Sequence, residues 1–410
     1  MSPIVRAVNK TFSSLHIRNF RLFLVGQLIS MTGTWMQTVA LGWLVLTMTN
    51  SGVAVGVTLA LQFGPILLGG LWGGLLADRF DKRRILIRTQ SAAGIVATAL
   101  FAISISEIAT LPMIFFLTFL LGCVTAIDNP ARQSFVTEMV GPDQVTNAVS
   151  LNSAVFNASR IIGPAFAAVV IATIGLPWAF LFNGLSFAGV IAAMCLMDPT
   201  ALHREPPVER GRGQLRAGLR YVWVKPELRY TVLLVAVVAT LGLNFSVVLP
   251  LMARFVFDKG AETFGVLTSA MAAGALTGAL VSAARTRPTR RLLLGSAAAF
   301  GALTISAAAA PTLSVLTLLL PFVGAASITF IATANATLQL NSGSAMRGRV
   351  MALHGLVFLG STPLGGPLIG WISEEFGARA GLAVGGAATL VAAVGLAALL
   401  RRGKVHASTA

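Results

Sequence analysis

Asp128 is the one acidic residue that falls inside the long apolar runs of this 410-residue chain; two arginines, Arg132 and Arg160, share the membrane with it, and every other charged residue can be placed near water at the end of a run or in a loop. A carboxylate at bilayer depth must be paired, protonated or placed in a wet cavity, because an uncompensated charge in hydrocarbon is costly. Arg132 lies one helical turn from Asp128 on the same face, which allows a local pair. Arg160 lies in the next apolar run, within reach of a pair between neighbouring helices. Three roles for Asp128 follow: a permanent structural bridge, an ion-pair lock that breaks when the protein changes state, or a proton carrier kept neutral by desolvation. Arg160 has two options of its own, bonding between helices or receiving an anionic group from a solute.

The elements that must position these charges are membrane helices. The chain is 56% hydrophobic and 11% charged, against about a quarter charged for an ordinary soluble domain. Apolar runs of about 20 residues, the length that crosses the hydrocarbon layer, recur throughout. A β-barrel would show short alternating segments instead. Twelve spans are predicted, at 22–47, 53–77, 85–105, 112–136, 148–174, 178–197, 230–255, 265–284, 292–310, 313–340, 350–372 and 380–400. Between the two sets of six, Pro199, Pro206, Pro207 and Gly211 mark a linker. In its later part Leu215, Leu219 and Val222 share a helical face from which Arg212, Arg216 and Arg220 are displaced, predicting a short helix on the membrane surface. The expected organisation is an N-terminal six-helix bundle over 1–197, a cytoplasmic linker over 198–229 and a C-terminal six-helix bundle over 230–410.

The formal net charge is +16, yet the pattern is not that of a nucleic-acid binder. Most of the 30 Lys and Arg sit in the N-terminal arm, in alternate loops, in the linker and in the C-terminal tail. That bias predicts both termini in the cytoplasm. The first apolar run is too long for a signal peptide and lacks a small-residue cleavage site, so it is expected to stay uncleaved. Cys123 and Cys195 lie in apolar runs and are too few for a disulfide framework. The four histidines (His16, His203, His354, His406) are scattered and form no metal cluster with acids or cysteines. Neither a nucleophile–base pair nor a phosphate-binding loop is present, so no enzyme, ATPase, metal or cofactor is expected.

An internal repeat relates the two sets of spans. A shift of 202 positions aligns Leu151 with Leu353, Val155 with Val357, Phe156 with Phe358, Ser159 with Ser361, Gly163 with Gly365, Gly175 with Gly377 and Gly184 with Gly386. Paired halves of this kind place a substrate site at their interface near the midplane.

Two motifs stand out. The loop after the second span reads Gly74-Leu75-Leu76-Ala77-Asp78-Arg79-Phe80-Asp81-Lys82-Arg83-Arg84. Gly74 permits close helix contact, Asp78 suits the polar end of a span, and the basic run anchors the loop at the cytoplasmic surface. In the fifth span, Ser159-Arg160-Ile161-Ile162-Gly163-Pro164 combines small residues for close packing with a proline that frees a backbone carbonyl. The loop resembles the signature loop of the major facilitator superfamily, with Asp81 where that pattern has a second glycine. The span-five stretch is similar to the glycine–proline motif of the superfamily's antiporters and exporters, with Ser159, Ala167 and Ala168 in place of glycines. Thr34-Trp35-Met36-Gln37, Gly42-Trp43-Leu44-Val45, Asp128-Asn129-Pro130-Ala131-Arg132-Gln133, Arg347-Gly348-Arg349-Val350-Met351 and Thr362-Pro363-Leu364-Gly365 resemble the enterobactin-exporter-like branch. Thr118 and Leu121 stand where many proton-coupled drug exporters carry Arg and Gln.

The resemblance implies a twelve-helix fold of two six-helix halves and a gating role for Gly74, Asp78, Arg79, Lys82 and Arg83. It also implies coupling between an acid on span four and the signature loop, which adds Lys82 and Arg83 to the possible partners of Asp128. Spans one, four, seven and ten would line the cavity, which nominates Gln27, Trp35, Gln37, Asn244, Phe245 and Asn335. The implied activity is export of a small amphipathic solute, a siderophore or drug-like compound, by a monomer in the bacterial inner membrane. Alternating access coupled to protons or another ion would drive it. An importer or lipid flippase of the same fold, or a membrane scaffold that moves nothing, are the competing readings.

Overall fold

The computed structural model describes residues 13–203, 214–283 and 288–407. Described residues form helices α1 Arg18–Thr49, α2 Gly52–Arg79, α3 Lys82–Ile105, α4 Leu111–Val140, α5 Val145–Thr173 and α6 Pro177–Cys195. There follow the short α7 Gln214–Val224, then α8 Pro226–Val237 and α9 Phe245–Leu251, each of which runs into a π-helical turn. The remainder are α10 Ala261–Ala283, α11 Arg290–Ala308, α12 Leu313–Asn341, α13 Ser344–Gly360, α14 Thr362–Phe376 and α15 Ala378–Ala407.

Local chemistry sets the ends of these helices. Thr289 and Thr312 accept backbone N–H bonds from Leu292 and Val315 and so start α11 and α12. Gly175 and Gly377, equivalent under the 202-residue repeat, both adopt positive φ (103° and 89°). Each makes the sharp turn into the last span of its half, a conformation that costs glycine little.

Among the described residues, eleven helical stretches are long and apolar enough to cross a membrane. The predicted first span lies in α1, which is 32 residues long. Gln27, Thr32, Thr34, Gln37 and Thr38 make it more polar than the others. Three predicted spans differ in detail. The fourth extends to Val140, which places Glu138 on α4. The seventh, Pro226–Val256, is interrupted by π turns at Val238–Gly242 and Met252–Val256. The eleventh is built from α13 and α14.

Two compact units are formed, one from Met1–Leu44 with Gly64–Glu209 and the other from Val45–Phe63 with Arg210–Ala410. Chain order alone assigns residues 45–63 to the first half, but by contact they belong to the second unit. The first unit has an apolar core around Phe20, Phe23, Leu86, Phe135, Met139 and Met194. In the second, Val222 of α7 packs with Leu228, Val232, Leu338, Val350 and Leu353. The face of α7 expected to meet the membrane is therefore divided. Val222 is buried in the bundle, while Leu219, Trp223 and Val224 are exposed. The side chains of Arg212, Leu215 and Arg216 lie outside the described ones.

Candidate functional site

Asp128 is buried on α4 and ringed by donors. Arg132, one turn on, approaches Asp128 Oδ2 with Nη2 at 2.9 Å. Gln90 Nε2 donates to Asp128 Oδ1 at 2.8 Å. The Thr89 hydroxyl lies 2.8 Å from the same oxygen and 3.1 Å from the Leu86 carbonyl, with one hydrogen to give. Arg132 spreads its remaining donors over Asn129 Oδ1 at 2.7 Å and Gln27 Oε1 at 3.2 Å. The local pair is thus the one formed, and it joins α1, α3 and α4 into one polar cluster inside the first unit. A buried charge is tolerable when it is both paired and hydrogen-bonded, as here.

Arg160 takes no part in that cluster. Among the described residues no acid pairs with it; its guanidinium lies over the Trp35 ring, 5.5 Å from the centroid. Phe156, one turn earlier on α5, meets Trp35 edge-on at 5.9 Å. The span-five motif explains why this cation and this indole meet. Ser159 is fully buried and its Oγ reaches the Leu28 carbonyl at 3.3 Å. Gly163 lies so close to α1 that a Cβ there would stand 2.5 Å from Trp35 Cβ and 2.7 Å from the Thr32 carbonyl oxygen. Pro164 has no N–H to give the Arg160 carbonyl. The motif thus seats α5 on α1 and sets Arg160 beside an aromatic face, a cation–π arrangement. Phe156 is 41% exposed, and Trp35 and Arg160 are half-buried.

The signature loop is tied down within the first unit. Asp81 accepts the Arg84 N–H at 3.0 Å and is the N-cap of α3, with φ −57°. The position that is glycine in the related pattern therefore needs no left-handed turn here. Lys82 pairs with Glu138 at the end of α4. Arg83 donates to the carbonyls of Met194 at 2.6 Å and Cys195 at 3.3 Å, capping the negative end of α6. Neither base pairs with Asp128. Glu138, which the shorter predicted span leaves outside the membrane helix, is the acid that meets the loop. Arg79 is exposed, and Gly74 and the side chain of Asp78 lie outside what the structure describes.

The six residues nominated for a cavity divide. Trp35 and Asn335 are partly exposed; Asn335 accepts from Gln339 at 2.9 Å. Gln27 is buried against Arg132, and Gln37 accepts from Asn183 of α6 at 2.7 Å. Asn244 and Phe245 are buried at the break in the seventh span. Asn244 donates to the Thr240 carbonyl at 2.7 Å, and Phe245 packs on Phe300. Glycines close this break from two sides. A Cβ at Gly365 would collide with the Thr240 carbonyl, and one at Gly385 would stand 2.5 Å from that of Leu241. His354 is buried nearby against Phe358, and its Nδ1 has no hydrogen-bond partner among the described residues.

Membrane-length helices in a duplicated chain, charges satisfied at membrane depth and a cation on an aromatic shelf describe a polytopic transporter of the major facilitator type. Over residues 9–409 the chain matches the family described as transmembrane secretion effector, and it belongs to that family. It is similar to the staphyloferrin A transporter of Staphylococcus aureus, 27% identical across 64% of this chain, and spans 66% of that protein's length. The multidrug efflux pump Tap of Mycolicibacterium fortuitum is 27% identical over 88% of this chain and 90% of its own. The enterobactin exporter EntS of Escherichia coli is 26% identical over 70% of this chain and 69% of its own. Solved structures share the fold. One is a POT family transporter in complex with a thioalcohol-conjugated peptide, with a TM-score of 0.76, 10% identity and coverage of 94% and 96% of the two chains. Another is a bacterial homolog of the human lysosomal transporter Spinster in an inward-facing, unoccupied conformation, with a TM-score of 0.69, 15% identity and coverage of 92% and 94%.

Proposed function

We propose that the protein exports a small, amphipathic, anionic molecule of the siderophore or drug-like class across the bacterial inner membrane, by alternating access and with proton coupling. The observation that carries this reading is Arg160, an intramembrane guanidinium stacked on Trp35 beside Phe156 and without an acid partner among the described residues. A fixed cation next to an aromatic face binds a solute that is part apolar and part anionic. Relatives whose names concern staphyloferrin A, enterobactin and multiple drugs support the substrate class. Proton coupling is favoured by the place of Asp128, a buried carboxylate within a polar cluster of α1, α3 and α4. Rocking of two bundles around a midplane site then links solute and proton.

The test is efflux from proteoliposomes under an imposed pH gradient, using carboxylate and catecholate siderophores and amphipathic drugs. Arg160→Ala is expected to lower transport of anionic solutes about tenfold, the worth of one modest ionic contact, and to spare neutral ones. Equal loss of both classes at normal protein abundance would remove Arg160 from recognition. Asp128→Asn is expected to abolish gradient-driven flux, and persistence of that flux would eliminate the proton-carrier role.

A further inference from the structure

The first turn of α2 is held by a carboxylate from a distant helix. Glu374, near the end of α14, accepts from Ser51 Oγ at 2.6 Å and from the Val53 amide at 3.1 Å through the same oxygen, Oε2. Ser51 Oγ in turn accepts the Ala54 amide at 3.1 Å. The start of α2 is thus capped by its own serine and by Glu374, which lies at the positive end of the helix dipole. Beside it Arg254 donates to Asn50 Oδ1 at 2.8 Å. Asn50, with φ 51°, turns the chain from α1 into α2.

Along the same contact the two helices come together at glycines. Gly52 and Gly56 of α2 face Gly370 and Gly366 of α14, each pair spaced by four residues. A Cβ added at Gly52 would stand 2.7 Å from the Gly370 carbonyl oxygen, and one at Gly56 would collide with that of Gly366. Small residues at this spacing let helix backbones touch in a membrane. At these four positions backbone meets backbone with no side chain to repack, and the polar cap above them supplies directional hydrogen bonds to the contact.

The position of α2 gives that cap a consequence. The helix is continuous from Gly52 to Arg79, yet its start groups with the second unit and its course from Gly64 groups with the first. A helix gripped by two units must lose one grip before those units can move apart along it. We propose that Glu374 is the latch of this grip: its carboxylate fastens the N-terminus of α2 to α14 over the glycine seam, and its release lets α2 travel with the first unit. The latch deepens the alternating-access reading and rests on it.

The experiment is double electron–electron resonance in lipid nanodiscs. Spin labels are placed at the exposed positions Met48 and Phe376 in a Cys123→Ser, Cys195→Ser background. The unaltered latch is expected to give mainly the short distance. Glu374→Ala is expected to raise the ratio of long to short populations about tenfold, as loss of a charge-assisted hydrogen bond implies. Glu374→Gln, which keeps the acceptor and loses the charge, should fall between. Glu375→Ala, which removes the adjacent exposed carboxylate, should change nothing. Should Glu374→Ala fail to fold, Ser51→Ala removes the donor and is expected to shift the ratio in the same direction. An unchanged distribution in the Glu374 and Ser51 variants overturns the latch, as does an equal shift in Glu375→Ala. The readout needs no substrate, so the two readings fail separately. A population shift without flux of any tested solute sinks export and leaves the latch. Gradient-driven flux with an unresponsive distribution sinks the latch alone.

Discussion

Asp128 combines two demands that a membrane interior makes of a carboxylate, a counter-charge and enough donors. Replacing it by Asn leaves the partly buried Arg132 without its counter-charge, held only by neutral partners such as Asn129 and Gln27. The expected loss of stability is about 3 kcal/mol, the cost of breaking a buried pair from one side, read as a lower unfolding temperature in detergent. A smaller effect belongs to Asp81, whose replacement by Ala removes the cap of α3 and should cost about 1 kcal/mol in the same measurement. Asp198 supplies a pH dependence. Its carboxyl accepts from the Thr200 hydroxyl at 2.7 Å and amide at 2.9 Å. These bonds, with help from Arg18, hold it below the ordinary aspartate range. A carboxyl with a depressed folded value contributes stability that is complete above its unfolded value and disappears as pH falls through the folded one. Acidification from about pH 5 to about pH 3, across the ordinary aspartate value, should therefore destabilise the native protein more than Asp198→Asn. Equal slopes would refute the assignment. At this scale the residue types were legible and the partners were not. Asp128 was conspicuous as a lone acid among apolar runs, but four partners were open to it and only packing selected Arg132. Glu138 was missed because one further turn of α4 carries it onto the helix, and helix ends are poorly marked where apolar residues continue past them.

The crossing of α1 and α5 shows what the span-five motif does as an element. Gly163 sets the distance and Ser159 adds a hydrogen bond, so that Trp35 and Arg160 come face to face. Gly163→Ala forces a methyl group into the Trp35 backbone region and is expected to cost about 1–3 kcal/mol, as overpacking does. It should also quench the difference between anionic and neutral solutes, because the shelf moves. Thermal unfolding and paired efflux assays on that variant test both statements. A second contact between elements joins α7 to α13. Gly218 approaches the Arg349 backbone, and the Tyr221 hydroxyl accepts the Gly343 amide at 3.1 Å. The apolar face of α7 was readable from spacing. Its division between bundle and surroundings was not, since Val222 and Leu219 are alike in character and only the neighbouring α8, α12 and α13 distinguish them. The break in the seventh span had a faint signal: Gly242 and Asn244, two turn-forming residues close together in an otherwise apolar run.

For the whole molecule, the all-helical membrane class and the duplicated chain could be read from apolar run lengths and the 202-residue repeat, because both are properties of the chain in sequence order. The membership of residues 45–63 in the second unit could not, since it follows from contacts with residues two hundred or more positions away, among them Arg254, Gly366, Gly370 and Glu374. Orientation is expected from the Lys and Arg bias. A fluorescent reporter fused after Ala410 should fold and light up in the cytoplasm, while a periplasmic phosphatase fused there should stay inactive; the reverse pattern would invert the topology. One feature of α1 bears on how such a chain is made. Gln27 finds its partner in Arg132 of α4, Ser159 of α5 reaches the Leu28 carbonyl, and Gln37 is met by Asn183 of α6. Synthesis proceeds from the N-terminus, so α1 carries polar groups whose side-chain partners are translated more than a hundred residues later. Polar groups in hydrocarbon are costly without partners, so α1 is expected to reach its final seat in the bilayer only after α4 and α6 have been made.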